Sequence, residues 1–175
     1  MINNKTILAI IPARGGSKSI PKKNIKKLGE RPLIEWTIKE AQKSQYIDKL
    51  IISTDSKEIA SYGALLDVEI PFMRPKEYAN DDTPGSEVIL HALDWFKQNN
   101  KIYDYFILLQ PTSPFRKAKD IDKSLELTIS NKKVDSLVSV QEVYQHPYWM
   151  KKINKKGYVE EYLKNSSIYT NRQKL

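Results

Sequence analysis

Cysteine is absent from this sequence of 175 residues, and histidine occurs only twice. Without cysteine the chain has no disulfide framework, no thiolate metal site and no cysteine nucleophile. His91 and His146 stand far apart and lack the spacing of metal ligands. The apolar run that follows Thr6, five residues long (ILAII), is too short for a signal peptide or a membrane span. We therefore expect a soluble cytoplasmic protein.

The composition is that of an ordinary globular protein, with 40% hydrophobic and 29% charged residues. A chain of this length suits a single domain, residues 1–175, with room for a core. Its formal net charge of +8 suggests acidic partners, nucleotides and nucleic acids among them. Charge alone does not choose between these partners.

Short apolar runs alternate with helical patterns along the chain. The predicted strands, aliphatic and rich in β-branched residues, are Ile7–Ile11, Leu50–Ile52, Phe106–Leu109 and Leu137–Val140. Four helices are predicted. Two are indicated by apolar residues at helical spacing, one by Ile34, Thr37, Ile38 and Ala41 and the other by Ile89, Ala92, Leu93 and Phe96. The other two cover residues 57–66 and residues 120–130, the latter with Ile121, Leu125 and Ile129 inward. The alternation predicts an α/β fold with a mostly parallel sheet. Near the end, residues 154–157 predict a turn between two short strands.

Four polar segments follow the apolar runs, where an open parallel sheet binds its ligands. We name them in chain order: the first loop (Pro12–Asn24, PARGGSKSIPKKN), the second loop (Ser53–Glu58, STDSKE), the third loop (Arg74–Ser86, RPKEYANDDTPGS) and the fourth loop (Gln110–Arg116, QPTSPFR). Their placement after the runs is the main positional reason to expect a site at this edge.

The first loop has the composition of a phosphate-binding segment. Six basic residues stand within fourteen positions, from Arg14 to Lys27. Gly15 and Gly16 allow a tight turn that exposes backbone N–H groups to an oxyanion. The segment matches neither the Walker A nor the dinucleotide pattern. A solvated basic turn is the alternative, but the position after a buried strand favours phosphate binding.

The polar residues of the other loops have local structural explanations. Gln110 can donate and accept hydrogen bonds to a base or sugar, while Thr112 and Ser113 are also typical of a plain turn. The acids Asp81 and Asp82, before Pro84, predict a helix N-cap rather than a metal site. Asp55 in the second loop likewise predicts a cap, with the wall of a site as the second reading.

Taken together, IIPARGGSKSIPKKNI, STD, Arg74–Pro75, LLQPTSPFR, SLVSV and NRQKL resemble the acylneuraminate cytidylyltransferases, also called CMP-sialic acid synthetases. The resemblance runs from about Ile7 to the last residue. It implies a Rossmann-like nucleotidyltransferase fold of the nucleotide-diphospho-sugar transferase type, with helices on both faces of the sheet, in a protein that is usually a homodimer. It also implies transfer of CMP from CTP to the anomeric hydroxyl of a nonulosonic acid, with release of pyrophosphate and help from Mg²⁺.

The resemblance assigns roles by motif position. Contacts to the triphosphate fall to the first loop, through Arg14, Gly15, Gly16, Ser17 and Lys23, with Arg14 and Lys23 as catalytic residues. The cytidine pocket is assigned Asn24, Arg74 and Gly85, and the sugar-acid side is assigned Gln110 and Arg172.

The sequence departs from the family pattern in three places. Ser19 stands where the first loop commonly has a third glycine, and Gly85 stands where many relatives have a hydroxyl residue, with Ser86 beside it. At the chain end, NRQKL resembles the start of a segment that relatives continue for about fifty residues. That continuation carries the family's metal-binding aspartates, so we assign no metal ligands in this chain. We expect it to bind nucleotide weakly and to be catalytically poor.

Two alternatives stay open from the sequence. The substrate can be another bacterial sialic-like acid, legionaminic or pseudaminic acid, because the first loop does not separate these substrates. The protein can also be a non-catalytic module that binds nucleic acid, as the net charge and the basic, aromatic last thirty residues suggest. No nucleic acid and no membrane partner are expected under the leading interpretation.

Overall fold

The structure is a computed structural model that describes residues 2–142 and 147–163. The strands are β1 (Ile7–Pro12), β2 (Lys27–Leu28), β3 (Arg31–Pro32), β4 (Lys49–Ser53), β5 (Tyr105–Leu108), β6 (Lys151–Ile153) and β7 (Val159–Glu161). The α-helices are α1 (Leu33–Gln42), α2 (Lys57–Ala64), α3 (Gly85–Gln98) and α4 (Ala118–Ser130). Three short 3₁₀ helices cover Lys23–Ile25, Lys76–Tyr78 and Pro147–Trp149.

The centre of the fold is a three-stranded parallel sheet in the order β4-β1-β5. In the register of these strands, Ile10 lies beside Ile51 on one side and beside Leu108 on the other. The first three predicted strands are therefore confirmed. Residues 54 and 73 add an isolated parallel bridge next to β4, which places the third loop at the same edge as the first two.

Helices cover both faces of the sheet. Successive side chains of β1 point to opposite faces, so they pack against different helices. Ile7, Ala9 and Ile11 pack with residues of α1, α2 and α4, whereas Leu8 and Ile10 pack with α3. Every one of these β1 side chains is fully buried. The predicted inward face of α1 is confirmed residue by residue: Ile34, Thr37, Ile38 and Ala41 are its buried positions.

One predicted strand is wrong. Residues 137–140 have no regular secondary structure, and Val138 and Val140 are 78% and 88% exposed. A strand needs a neighbour to accept and donate its backbone hydrogen bonds, and no strand of the described residues pairs with this run. The β-branched composition that predicted it does not supply that partner.

The chain divides into two compact units, Met1–Leu137 and Val138–Leu175. In the second unit, β6 and β7 form an antiparallel hairpin with Ile153 opposite Val159. Its turn is held by Asn154, whose N–H donates to the carbonyl oxygen of Tyr158 over 2.9 Å and whose carbonyl oxygen accepts from the N–H of Gly157 over 3.0 Å. The predicted turn and its two short strands are therefore confirmed. None of the helices described in either unit combines the length and apolarity that a membrane span needs.

Candidate active site

The first loop leaves β1 and is tied to the second loop through a hydrogen bond from its main chain to a side chain. The N–H of Gly15 donates to Oδ1 of Asp55 over 2.8 Å. The two loops touch so closely that a Cβ on Gly15 would lie 2.9 Å from the Cβ of Ser56. Glycine is therefore required here by close approach. At Gly16, by contrast, a Cβ would meet no atom within 4 Å.

Asp55 is not the helix cap that the sequence predicted. Ser56 is the N-cap of α2, and its Oγ accepts a hydrogen bond from the N–H of Ile59 over 3.4 Å. The carboxylate of Asp55 is thereby left to accept from Gly15. The second loop thus positions the glycine turn of the first.

The rest of the first loop is held by its own polar groups. Ser17 Oγ donates to the carbonyl oxygen of Ile20 over 2.6 Å and accepts from the N–H of Lys23 over 3.1 Å. The buried Asn24 donates from Nδ2 to the carbonyl oxygen of Arg14 over 3.0 Å. The left-handed residue of the loop is Lys22, with φ of 52°, so the backbone places no demand for glycine on Ser19.

The third loop reaches the first through Asp81. Its Oδ1 lies 2.5 Å from Nη2 of Arg14, and its Oδ2 lies 2.6 Å from Nζ of Lys18. Arg14 also donates from Nη1 to the carbonyl oxygen of Ala79 over 3.4 Å. Lys18 and Arg14 together lower the pKa of Asp81, so its carboxylate is charged at neutral pH.

The prediction that the acids before Pro84 cap a helix is wrong. The N-cap of α3 is Pro84 itself, and no side chain caps this end. Asp81 pairs with the first loop instead. A signal for this was present in the sequence, because the first loop contains no acid and needs an anion from elsewhere in the fold.

Arg74 is buried, with 5% exposure, at the start of the third loop. Its guanidinium donates to the carbonyl oxygen of Ser53, to Ser53 Oγ over 3.0 Å, and to the carbonyl oxygen of Tyr78 over 3.5 Å. Burial lowers the pKa of Arg74 to about 10, although the negative charge of Asp55 acts to raise it. It therefore remains a cation at neutral pH and holds the second and third loops together.

His91 of α3 packs beneath this part of the third loop. Its ring centroid lies 4.7 Å from that of Phe72 and 5.0 Å from that of Tyr78. Its Nδ1 is buried without a hydrogen-bond partner in the described part of the chain. Burial lowers the pKa of His91, and the charge of Arg74 lowers it further. Histidine therefore acts here as a neutral aromatic ring that supports the loop.

The fourth loop is held by contacts within itself. The N–H of Ser113 donates to the carbonyl oxygen of Gln110 over 3.2 Å, which forms the predicted turn. Arg116 Nη2 donates to the same carbonyl over 3.3 Å. Thr112 Oγ1 lies 3.4 Å from Oε1 of Gln110, and the Gln110 side chain is exposed.

The structure brings together most of the residues that the sequence selected for nucleotide binding. Arg14, Gly15 and Arg74 take part in the contacts that join the first, second and third loops at the carboxyl edge of the sheet. Ser17, Lys23 and Asn24 take part in hydrogen bonds within the first loop. Gly85 is the exposed first residue of α3, with open space where a side chain would stand. Arg172 and His146 lie outside the described residues.

Comparisons with known proteins agree with this picture. The sequence profile of a family described as Cytidylyltransferase matches residues 8–175. A CMP-N,N'-diacetyllegionaminic acid synthase of Legionella pneumophila is 36% identical over 167 residues, which cover 94% of this chain and 71% of that protein. An N-acylneuraminate cytidylyltransferase of Escherichia coli is 40% identical over 138 residues, 77% of this chain and 31% of that protein. The chain thus spans less than a third of the second relative.

Solved structures support the fold. A CMP:2-keto-3-deoxy-manno-octonic acid synthetase, solved in complex with CTP, matches with a TM-score of 0.61 and 19% identity. The match covers 72% of this chain and 48% of that one. At this identity the likeness concerns the fold alone, and it confirms the predicted Rossmann-like nucleotidyltransferase architecture.

Proposed function

We propose that this chain, a nucleotidyltransferase that belongs to the cytidylyltransferase family, transfers CMP from CTP to the anomeric hydroxyl of a sialic-acid-like nonulosonic acid. The observation that carries this proposal is the basic first loop, which is assembled against the second and third loops at the carboxyl edge of β1 and β4. That edge is where open parallel sheets bind nucleotides.

In the reaction, the anomeric oxygen of the sugar acid attacks the α-phosphorus of CTP. A new P–O bond forms while the bond to the β-phosphate oxygen breaks, pyrophosphate leaves, and the hydroxyl proton passes to solvent. The work of the protein is to position the two substrates and to neutralise charge on the leaving group. Arg14 and Lys23 are the proposed cations for this role, and the N–H of Gly16, with Ser17, completes the phosphate cradle. Gly15, whose own N–H donates to Asp55, is proposed to shape the turn of this cradle.

The cytidine is proposed to lie near Asn24, Arg74 and Gly85. Open space at Gly85 leaves room for a base beside the first turn of α3. Because Arg74 already donates to Ser53 and Tyr78, its proposed contribution is to fix the shape of this pocket. Gln110 and Arg172 are proposed for the sugar acid, where a guanidinium suits the carboxylate.

Mg²⁺ is the expected partner of the triphosphate, and when bound it would neutralise phosphate charge. In residues 2–142 and 147–163, no three histidine, aspartate or glutamate side chains converge to hold a metal ion. Asp81 is already engaged by two cations. The described residues therefore do not fit a metal centre, and we derive no step through one.

Among sugar acids, legionaminic-type acids are the first substrates to test. The L. pneumophila relative named for that product aligns with 94% of this chain. Pseudaminic acid is the next, because a cytidylyltransferase of Campylobacter jejuni named for it is 35% identical over 124 residues. A cytoplasmic location and a homodimer remain part of the proposal.

The first test is selective binding of CTP. Thermal stabilisation by CTP that UTP, ATP and an unrelated oligonucleotide do not reproduce supports the proposal. Equal stabilisation by the oligonucleotide, falling steeply with salt, would instead indicate a nucleic-acid-binding module. Pyrophosphate release with CTP, Mg²⁺ and a panel of nonulosonic acids then identifies the substrate, and its absence for every acid counts against a catalytic role for this chain.

A further inference from the structure

We propose that Asp81 occupies the place of a phosphate group in the nucleotide-free protein, and that the triphosphate replaces its carboxylate when nucleotide binds. Asp81 is thus an internal competitor for the cations of the first loop. This inference rests on the proposed function, because it takes the first loop to be the triphosphate site.

The contact of Asp81 with the two cations has the geometry of an occupied anion-binding site. One carboxylate presents one oxygen to Arg14 at 2.5 Å and the other to Lys18 at 2.6 Å. A phosphate group makes the same kind of charge-assisted hydrogen bonds to the same two side-chain types. The pair of cations therefore converges on a point that suits a doubly contacted oxyanion.

The contact is also easy to replace. The side chains of Arg14 and Asp81 are 31% and 34% exposed, and that of Lys18 is 83% exposed. Ion pairs exposed to this extent are weak, because water screens them and the long side chains lose conformational freedom. A triphosphate brings more negative charge and more acceptor oxygens than one carboxylate, so it competes well for both cations.

The segment that carries Asp81 has contacts of its own that do not involve the first loop. It lies between the 3₁₀ helix that ends at Tyr78 and the start of α3 at Gly85. The side chains of Asn80 and Thr83 both donate to the carbonyl oxygen of Glu77, over 3.3 and 3.0 Å, so the segment is braced on its own loop. When phosphates take over the cations, the segment loses its support from the first loop, including the Arg14 bond to the Ala79 carbonyl, and is held by its own turn contacts alone.

Asp82 provides a matched control. It is the next residue along, it is also an exposed acid, and neutralising it removes the same formal charge from the same loop. The two cations contact Asp81. A difference between the two positions therefore reports the direct contact rather than the general field of the loop.

The experiment measures binding of inorganic triphosphate by calorimetry to the wild type, Asp81→Asn and Asp82→Asn, at low ionic strength and without metal. We expect Asp81→Asn to bind about two- to fivefold more tightly than Asp82→Asn, as the loss of an exposed competing pair allows. Equal binding by the two variants, weaker binding by Asp81→Asn, or no binding by any of the three would overturn the inference.

Two further measurements make the test independent of one variant. Lys18→Ala should weaken triphosphate binding by a larger factor in the Asp81→Asn protein than in the wild type, because in the wild type part of its attraction is spent on Asp81. In the wild type itself, amide hydrogen exchange of residues 79–83 should become faster when triphosphate is added. Equal Lys18 effects, or slower exchange of this segment, contradict the inference.

The outcome is separable from that of the proposed function. Inorganic triphosphate has no nucleoside, so it tests the competition between Asp81 and phosphates alone. If Asp81→Asn binds triphosphate more tightly but CTP is not preferred over UTP and ATP, the cytidylyltransferase proposal fails and the competition stands. If CTP is preferred and the two variants do not differ, the reverse holds.

Discussion

The first and fourth loops both leave the carboxyl edge of the same sheet, but they are held in different ways. The first loop is joined to the second by Gly15 and Asp55 and to the third by Arg14 and Asp81. The hydrogen bonds described for the fourth loop join its own residues, chiefly to the carbonyl oxygen of Gln110. One half of the candidate site is assembled by long-range contacts, and the other is a local turn.

This difference matches the two substrates proposed to bind at this edge of the sheet, the triphosphate at the first loop and the sugar acid at the fourth. A triphosphate gains from a loop backbone that is fixed before it arrives, because a preorganised site loses less freedom on binding. The exposed Gln110 amide, in contrast, is left available to a ligand. We expect loss of the buried or close-packed contacts between the first three loops to change folding, and changes in the fourth loop to affect binding alone.

The largest expected effect comes from Arg74. Arg74→Met removes donors from the carbonyl and hydroxyl oxygens of Ser53 and from Tyr78, in a buried place that water does not reach. We expect the free energy of unfolding to fall by about 2–4 kcal/mol, measured by urea denaturation. Arg116→Met is the matched change in the fourth loop, where one carbonyl loses a donor, and it should cost less than about 1 kcal/mol. Equal losses for the two arginines would remove the contrast between the loops.

The next effect concerns the contact between the first and second loops. Gly15→Ala places a Cβ 2.9 Å from Ser56 Cβ, on a residue that is fixed as the cap of α2. We expect a destabilisation of about 1–3 kcal/mol, typical of overpacking. Gly16→Ala is the control, because its Cβ meets no atom within 4 Å, and it should change the free energy of unfolding by less than about 0.5 kcal/mol. A Gly15→Ala protein as stable as the control would show that the two loops are free to part.

How far the sequence predicts this architecture depends on the range of the interactions involved. The buried strand at Ile7 and the inward face of α1 were predictable, because alternation and helical periodicity are local signals. The partners of Asp81 and Asp55 could not be identified in this way, because the lack of acids in the first loop signals the need for an anion but not which residue supplies it. Each acid had a local explanation as a cap, and the contact that replaced it comes from Arg14 or Gly15, at least 40 residues away. The run at residues 137–140 failed for the same reason, since a strand also depends on a neighbour.

A smaller effect, in the pH dependence of stability, tests how the third loop is supported. The pKa of His91 is lowered by burial and by Arg74, so the unfolded chain takes up a proton at a higher pH than the folded one. The stability that neutral His91 contributes is present above the unfolded pKa, about 6.5, and is lost as the pH falls below it. His91→Phe keeps a ring against Phe72 and Tyr78 and removes the proton. The difference in unfolding free energy between the two proteins should therefore change between about pH 7.5 and 5.5, and parallel curves would contradict a supporting role for neutral His91.

The smallest effect on folding is expected at Gln110, and it is the sharpest test of the fourth loop as a binding element. Gln110→Ala removes an exposed amide but keeps the backbone carbonyl that holds Ser113 and Arg116, so the free energy of unfolding should change by less than about 0.5 kcal/mol. If the amide contacts the sugar acid, affinity for that acid in the presence of CTP should fall about tenfold, as for the loss of a hydrogen bond or two, while CTP affinity stays the same. Ser113→Ala serves as the control within the same turn, because Ser113 makes its bond to Gln110 through the backbone nitrogen. A variant of Gln110 that binds the sugar acid as tightly as this control would show that the fourth loop is only a turn, and the sugar acid would then have to be held by another part of the chain.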